Sequence, residues 1–389
     1  MRGELFKMEK LICRILTVVL LASVLMTIAP KGAEAIPAFA RKHSFACTQC
    51  HQQFPKLNKF GIAFKNRGYR LPGEKGKFVW EEKVLPIAGI GRMGWKATDN
   101  RTGNTGATSE EFVFEGLELF SGGTLAPRIS YFIDALTEDN LPLLQFNDIL
   151  PDSALNIKVG QYNVDNYGLS HPRRLTFSTY LVQTTADRGD NVTFSNQGVE
   201  INGQFEGSGT RYILGGGDGS TTQTEEKLFK SFFGYLMKDF GEGGHTLSLM
   251  FRTDESGTKA STGKSYTVGG GLQFFGEKWD LTAHAYHFTG GNDLDFTENS
   301  TTNDYKAISG TVEGTYEITD KLLGLARYDW HNTIDSKAKE YAIVGALQYH
   351  FVPNVKLNVE YRTSDVKVGG TTNTAGDEKS LRTYLRFGF

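Results

Sequence analysis

Two thiols three positions apart, with an imidazole directly after the second, are the residues of this chain best suited to do chemistry: Cys47-Thr48-Gln49-Cys50-His51. C-x-x-C-H is the pattern of covalent haem attachment. Each thiol adds to one vinyl group of the porphyrin, and the adjacent histidine is then held beneath the iron as proximal ligand. Cys47, Cys50 and His51 are therefore the expected cofactor-binding residues, for one haem c. A disulfide is an alternative, because an exported C-x-x-C can oxidise. A zinc half-site is another, but zinc takes four ligands, and the chain has no second C-x-x-C and no H-x-H.

Export is read from the N-terminus. Arg2, Lys7, Lys10 and Arg14 precede an uncharged run from Ile15 to Ile28, and Ala33-Glu34-Ala35 follows. That is the layout of a secretory signal peptide with an A-x-A cleavage site, assigned to 1–35. A membrane anchor is the other reading, although the run falls short of the roughly 20 residues a helical span needs. Cys13 lies in the signal, so Cys47 and Cys50 are the cysteines of the mature chain.

Charge divides the mature chain in two. Residues 36–83 carry ten basic residues (Arg41, Lys42, Lys56, Lys59, Lys65, Arg67, Arg70, Lys75, Lys77 and Lys83) against Glu74, Glu81 and Glu82, a net of +7. Residues 84–389 carry 27 basic and 38 acidic residues, a net of −11. The expected domains are a c-type monohaem plug segment, 36–83, and an acidic body, 84–389. So short a segment cannot both wrap a haem and build an independent core. It is expected to borrow walls from the body, and opposite charge favours docking inside it. A basic face presented to an acidic partner is the other reading. Phe54, Leu57, Phe60, Gly61 and Phe64 recur at three and four residues, which predicts one short amphipathic helix ending near Gly68.

Composition sets the class of the body. With 39% hydrophobic residues and a mean hydropathy of −0.33, a bundle of membrane-spanning helices is excluded. The 45 Gly, 27 Phe, 16 Tyr and 4 Trp suit many strands instead. Stretches of about ten residues alternate apolar and polar. Val355, Leu357, Val359 and Tyr361 point one way, and Lys356, Asn358, Glu360 and Arg362 the other; Ile308, Val312 and Tyr316 oppose Ser309, Thr311, Glu313 and Thr315; Leu247, Leu249 and Phe251 oppose Thr246, Ser248, Met250 and Arg252. Short turns (206–209, 240–244, 276–278, 318–320, 352–354) alternate with long polar connections (218–226, 255–262, 290–302, 333–337, 366–378). The expectation is an all-β fold: a transmembrane antiparallel β-barrel of about 16 strands, from 84–97 to 379–389, in a bacterial cell outer membrane with both termini periplasmic. A soluble all-β protein is the alternative, but its polar face would look outward and its core would be dry. A barrel of this size normally encloses an aqueous channel, and 36–83 is available to fill it.

Pro37, Phe39-Ala40-Arg41, Cys47-x-x-Cys50-His51, Phe54-Pro55, Leu57-Asn58, Phe60-Gly61, Phe64-Lys65 and Gly68-Tyr69 together resemble the N-terminal haem segment of the fused outer-membrane monohaem cytochrome-porins, best known from iron-oxidising bacteria. The likeness covers about 36–72; over the barrel it is architectural, and Leu155–Gln161 faintly resembles phosphate-selective porins. The resemblance implies electron transfer across the outer membrane through one haem, from extracellular Fe(II) or another redox partner to a periplasmic c-type cytochrome. The activity implied is that of an iron oxidase.

A distal iron ligand is less legible. His43 is the segment's other histidine, and Met250 faces the lumen in the strand register; His284 and His350 are further lumen histidines. A methionine ligand favours a higher potential than a second histidine. Carboxylates at Asp218, Glu225, Glu226, Asp293, Asp295, Glu298 and Asp304 could attract Fe(II) or be solvated loop charges. No nucleophile–base constellation, phosphate loop or nucleic-acid signature is present. Two other functions fit the same elements: a diffusion porin with a structural or sensory haem plug, and outward electron delivery to extracellular acceptors.

Overall fold

A computed structural model describes residues 38–102, 105–135, 141–164, 174–184, 194–218, 229–258, 261–290, 305–334, 339–367 and 377–388. The expected signal peptide lies outside them. The described chain begins with α1 (Ala38–His43), α2 (Cys47–Cys50), a small antiparallel pair β1 (His51–Gln53) and β2 (Lys56–Leu57), and α3 (Lys59–Asn66). Sixteen strands follow among the described residues: β3 (Ile87–Thr102), β4 (Thr105–Ala126), β5 (Ile129–Ala135), β6 (Leu141–Leu150), β7 (Leu155–Val164), β8 (Phe194–Phe205), β9 (Thr210–Gly217), β10 (Ser231–Phe240), β11 (His245–Thr258), β12 (Ser261–Phe275), β13 (Trp279–Gly290), β14 (Tyr305–Thr319), β15 (Leu322–Thr333), β16 (Lys339–Val352), β17 (Val355–Lys367) and β18 (Asp377–Gly388). Each pairs antiparallel with its sequence neighbours, and β18 closes on β3 with Gly388 opposite Ile90.

Closure gives each barrel strand a hydrogen-bonded neighbour on both sides, so backbone groups in the paired stretches need no water; β4 runs past β5, with which it pairs only from Leu119 to Ala126. The pleat then sorts side chains by face. On β17, Lys356, Asn358 and Glu360 are at most 2% exposed, whereas Val359 and Tyr361 are 38% and 48% exposed. On β14, Ser309, Thr311 and Glu313 are buried while Ile308, Val312 and Tyr316 face out. An apolar outer face around a polar lumen is the surface of a barrel that crosses a lipid bilayer.

The structure differs from the sequence expectation in three places. Residues 255–262 are not a long loop: β11 and β12 continue to Thr258 and Ser261, with Glu255 opposite Lys264 and their charges 3.6 Å apart. Strand that extends beyond the lipid needs no apolar face, so its polar sequence reads as loop. Before the barrel, three α-helices replace the single one expected. The amphipathic helix starts at Lys59, not near Phe54: the residues before it pair as β1 and β2, and the Asn58 side chain caps the helix by accepting from Gly61 N at 2.9 Å.

The third difference is a lumenal insert. Between β7 and β8, residues 174–184 fold into the barrel and end in α4 (Leu181–Thr184). Glu360 accepts from the backbone N–H groups of Phe177 and Ser178 at 2.6 and 2.9 Å. Arg327 donates to Thr176 Oγ1 at 2.6 Å and to the carbonyls of Ser178 and Thr179 at 3.1 Å. Gln348 donates to Leu175 O at 2.6 Å.

The segment before the barrel crosses the lumen between opposite walls. On one side Lys56 Nζ lies 2.5 Å from Asp280 on β13 and 3.9 Å from Glu313 on β14, and Gln53 donates to Glu317 at 2.9 Å. Burial alone would lower the Lys56 pKa, but the two carboxylates outweigh it and raise it, so the ammonium stays charged. On the other side Gln145 on β6 donates to Asn66 O at 2.9 Å, Ser130 on β5 donates to Gly68 O at 2.6 Å, and Arg70 meets Asp148 at 2.7 Å. Glu313 also accepts from the Tyr180 hydroxyl at 2.9 Å, so one carboxylate ties segment and insert together.

Replacing Lys56 with Met leaves Asp280 and Glu313 short of their counter-charge, a loss of about 3 kcal/mol. Limited proteolysis of the detergent-solubilised variant is expected to cut within 38–83 far faster than in wild type while the barrel keeps its heat-resistant gel mobility. Equal protection in both proteins would show that this pair does not dock the segment.

Candidate functional site

The two thiols belong to one helical turn, and their spacing brings them to the same side of it. Asn58 holds that turn in place. Its side chain donates to the carbonyls of Thr48 and Gln49 at 3.0 and 3.1 Å, and its backbone N–H donates to Cys50 O at 3.0 Å. The same residue caps α3, so α2 and α3 share one fastening. Gly61, on the first turn of α3, faces the Cys50 carbonyl so closely that a Cβ there would collide with it and crowd Leu57.

Cys47, Cys50 and His51 line a cavity of about 340 Å³ between this segment and the barrel wall. That is within the usual range for ligand pockets, roughly 300–1,000 Å³. Its walls are mostly apolar and aromatic: Phe39, Phe45, Phe54, Phe64 and Tyr69 from the segment, and Phe120, Phe132, Leu143 and Ile213 from the barrel. The rings brace one another, with Phe39 stacked on Tyr69 at 4.7 Å and edge-on to Phe64 at 5.5 Å. Tyr69 in turn packs against Phe132 of the barrel at 5.7 Å.

The chemistry of the donors suits a covalently held haem. Both thiols are free rather than joined in a disulfide. His51 Nδ1 donates to Pro55 O at 3.1 Å. A carbonyl only accepts, so the neutral ring carries its proton on Nδ1 and its lone pair on Nε2, the nitrogen a metal would take. Burial raises the Cys47 pKa; burial and the neighbouring Cys47 push Cys50 up to about 11.

Of the other expected ligands, His43 packs on two lining rings, Phe45 at 5.3 Å and Phe64 at 5.6 Å, without lining the cavity itself. Its Nε2 is buried with no hydrogen-bond partner, and burial followed by the charge of Lys42 lowers its pKa, which favours the neutral ring. Met250 does face inward, but it packs in an apolar cluster with Tyr180, Val182 and Tyr286, and it does not line the cavity. The insert at 174–184 occupies the space in front of it, which no strand register could reveal. His284 is engaged with the Tyr286 hydroxyl at 3.0 Å, and neither it nor His350 lines the cavity. Of the loop carboxylates, Asp218 alone is described; Glu225, Glu226, Asp293, Asp295, Glu298 and Asp304 lie outside the described residues. Among the described residues no group of three or more His, Cys, Asp or Glu is placed to hold a metal ion.

No family model and no curated protein matches the chain. Solved structures do. An anion-selective porin from Comamonas acidovorans matches with a TM-score of 0.60 at 10% identity, covering 78% of this chain and 99% of the porin. The outer membrane channel DcaP of Acinetobacter baumannii matches with a TM-score of 0.56 at 16% identity, covering 78% and 97%. Outer-membrane expressed OmpT of Vibrio cholerae matches with a TM-score of 0.52 at 11% identity, covering 77% and 98%. The likeness is one of fold, a porin-like barrel, and the covered share of this chain is about that of its own barrel strands and their connections.

The raised thiol pKa has a direct test. In haem-free protein, iodoacetamide labelling of Cys50, followed by peptide mass, is expected to rise about tenfold per pH unit from pH 8 to pH 10, because only the thiolate reacts. A rate that levels off by pH 9 would contradict the burial of this thiol.

Proposed function

We propose that this chain is an electron conduit of the bacterial outer membrane, in which one haem c, attached through Cys47 and Cys50 and ligated by His51, is held inside a porin-like barrel. The observation that carries the reading is the cavity: both thiols and the imidazole open onto one aromatic-lined space that segment and wall line jointly. The lipid core is an insulator about 25–30 Å thick, so an electron crossing it needs a redox centre held within it. When bound, the haem supplies a one-electron iron couple. The chain supplies the rest: thiols for attachment, a neutral imidazole oriented by the Pro55 carbonyl, and phenylalanines that exclude water. Fe(II) outside and a periplasmic c-type cytochrome inside are the partners that the likeness to cytochrome-porins suggests.

A second reading, a diffusion porin whose N-terminal segment is structural or sensory, is favoured by the structural neighbours. Taken alone, they speak for a channel and not for electron transfer, since their descriptions are of a porin, a channel and an outer-membrane protein. Against an open channel stands the segment's attachment to opposite walls, at β5–β6 and at β13–β14.

Three measurements on purified, detergent-solubilised protein separate these readings. Haem staining of the denatured band is expected for wild type and lost when Cys47 and Cys50 are both replaced by Ala; staining that survives overturns the attachment. Stopped-flow mixing of the oxidised protein with Fe(II) is expected to reduce the haem rapidly. No reduction, with a strongly negative potential, favours outward delivery or another donor. In planar bilayers the wild-type barrel is expected to conduct far less than the Lys56→Met variant, and large steady wild-type conductance would favour the diffusion porin.

A further inference from the structure

The cavity has one charged wall that docking does not account for. Most lumen charges near the segment are matched to it: Asp280 and Glu313 by Lys56, Glu317 by Gln53, and Asp148 by Arg70. Lys158 and Glu200 are matched to each other. They stand opposite in register on β7 and β8, with Nζ 2.5 Å from Oε1, and both line the cavity that holds the thiols. Glu200 is almost wholly buried, and Asn202 donates to the same carboxylate oxygen at 3.0 Å. Asn202 also accepts from Asn156 at 3.1 Å, and Asn156 reaches toward Asn66 O at the end of α3. The pair is therefore held by amides that themselves reach the segment. Gln145, whose amide fastens Asn66, and Asp134 line the same side of the cavity.

With Asp134 and Gln145 of the wall and Lys65 of the segment also lining the cavity, this ion pair is removed from water at a cost that its polar neighbours and the cavity's occupant must offset. An amphipathic occupant with an apolar body and an anionic edge would do so. On the haem reading, the edge of the porphyrin carrying its two carboxylates fits this chemistry. We propose that Lys158 receives the anionic edge of the haem and that Glu200 positions Lys158, so that the barrel wall completes a cofactor site that the N-terminal segment begins. This rests on the proposal that a haem is attached at Cys47 and Cys50. The barrel then sets the redox balance as well as the enclosure: adding an electron to the haem adds negative charge, which a nearby cation favours and a nearby anion opposes.

The test is a potentiometric titration of full-length, haem-loaded protein in detergent, with gel mobility as a check on barrel folding. Lys158→Gln is expected to disfavour haem reduction by roughly tenfold and Glu200→Gln to favour it by a similar factor, the scale of one unit charge near the cofactor. Lys158→Arg should stay near wild type, as should Lys264→Gln, which alters an exposed lysine paired with Glu255 outside the cavity. Folded variants at positions 158 and 200 that both keep the wild-type potential, or that shift it in the same direction, overturn this assignment while leaving the attachment intact. A wild-type band that carries no haem stain overturns the attachment and this assignment together.

Discussion

A charge that lies inside a wall of lipid must find its counter-charge inside that wall. The Lys56 ammonium is the clearest case, 2.5 Å from Asp280 and held protonated by it and Glu313 despite burial. Much of the architecture follows from that requirement. The lumen is acidic where the segment is basic, and the segment is pinned at one end by Lys56 against Asp280 and Glu313 and at the other by Gln145, Ser130 and the Arg70–Asp148 pair. The cavity exists because the segment rests across the lumen rather than against one side. Breaking such a pair costs far more than the pair contributes to stability over an apolar substitute, so its main effect is to specify one docked position.

The barrel makes this possible through the period of its strands. Alternate residues face lipid and lumen, and the lumenal set can be as polar as the inserts require, because protein groups and not lipid cover it. Two inserts share that space. One is the N-terminal segment; the other is the stretch from Leu175 to Val182, whose backbone is gripped by Glu360, Arg327 and Gln348. They meet at Glu313, which serves Lys56 and Tyr180, and at Lys356, which donates to Phe54 O at 2.7 Å and to Gln348, itself bonded to Leu175. The lumen is thus organised by a few side chains that each hold two partners.

How much of this is legible in the sequence depends on whether one period dominates locally. The sixteen strands are legible because Val355 to Arg362, and their counterparts elsewhere, alternate without interruption, and because tight turns such as 352–354 separate them. The insert at 174–184 is not, since its contacts come from β14 to β17, far away in sequence, and a residue such as Thr176 carries no sign of Arg327. The unusual length of the β7–β8 connection was the available signal. The thiols and His51 are legible from spacing alone, whereas Asn58, Lys158 and Glu200 are not: an asparagine, and a lysine and a glutamate on alternating strands, look like ordinary cap and wall residues until the cavity brings them together. Met250 shows the limit of register, which gives the direction of a side chain but not what fills the space before it.

On the proposed function, the free thiols on this cavity carry a haem. The most direct measurement is the intact mass of the mature, denatured protein after export in a host able to attach c-type haem. One species is expected, heavier than the processed polypeptide by a single haem, with the added mass localised to the peptide containing Cys47 and Cys50. A mature chain at the bare polypeptide mass, with both thiols open to alkylation, would contradict it and leave a porin-like barrel with an aromatic-lined cavity.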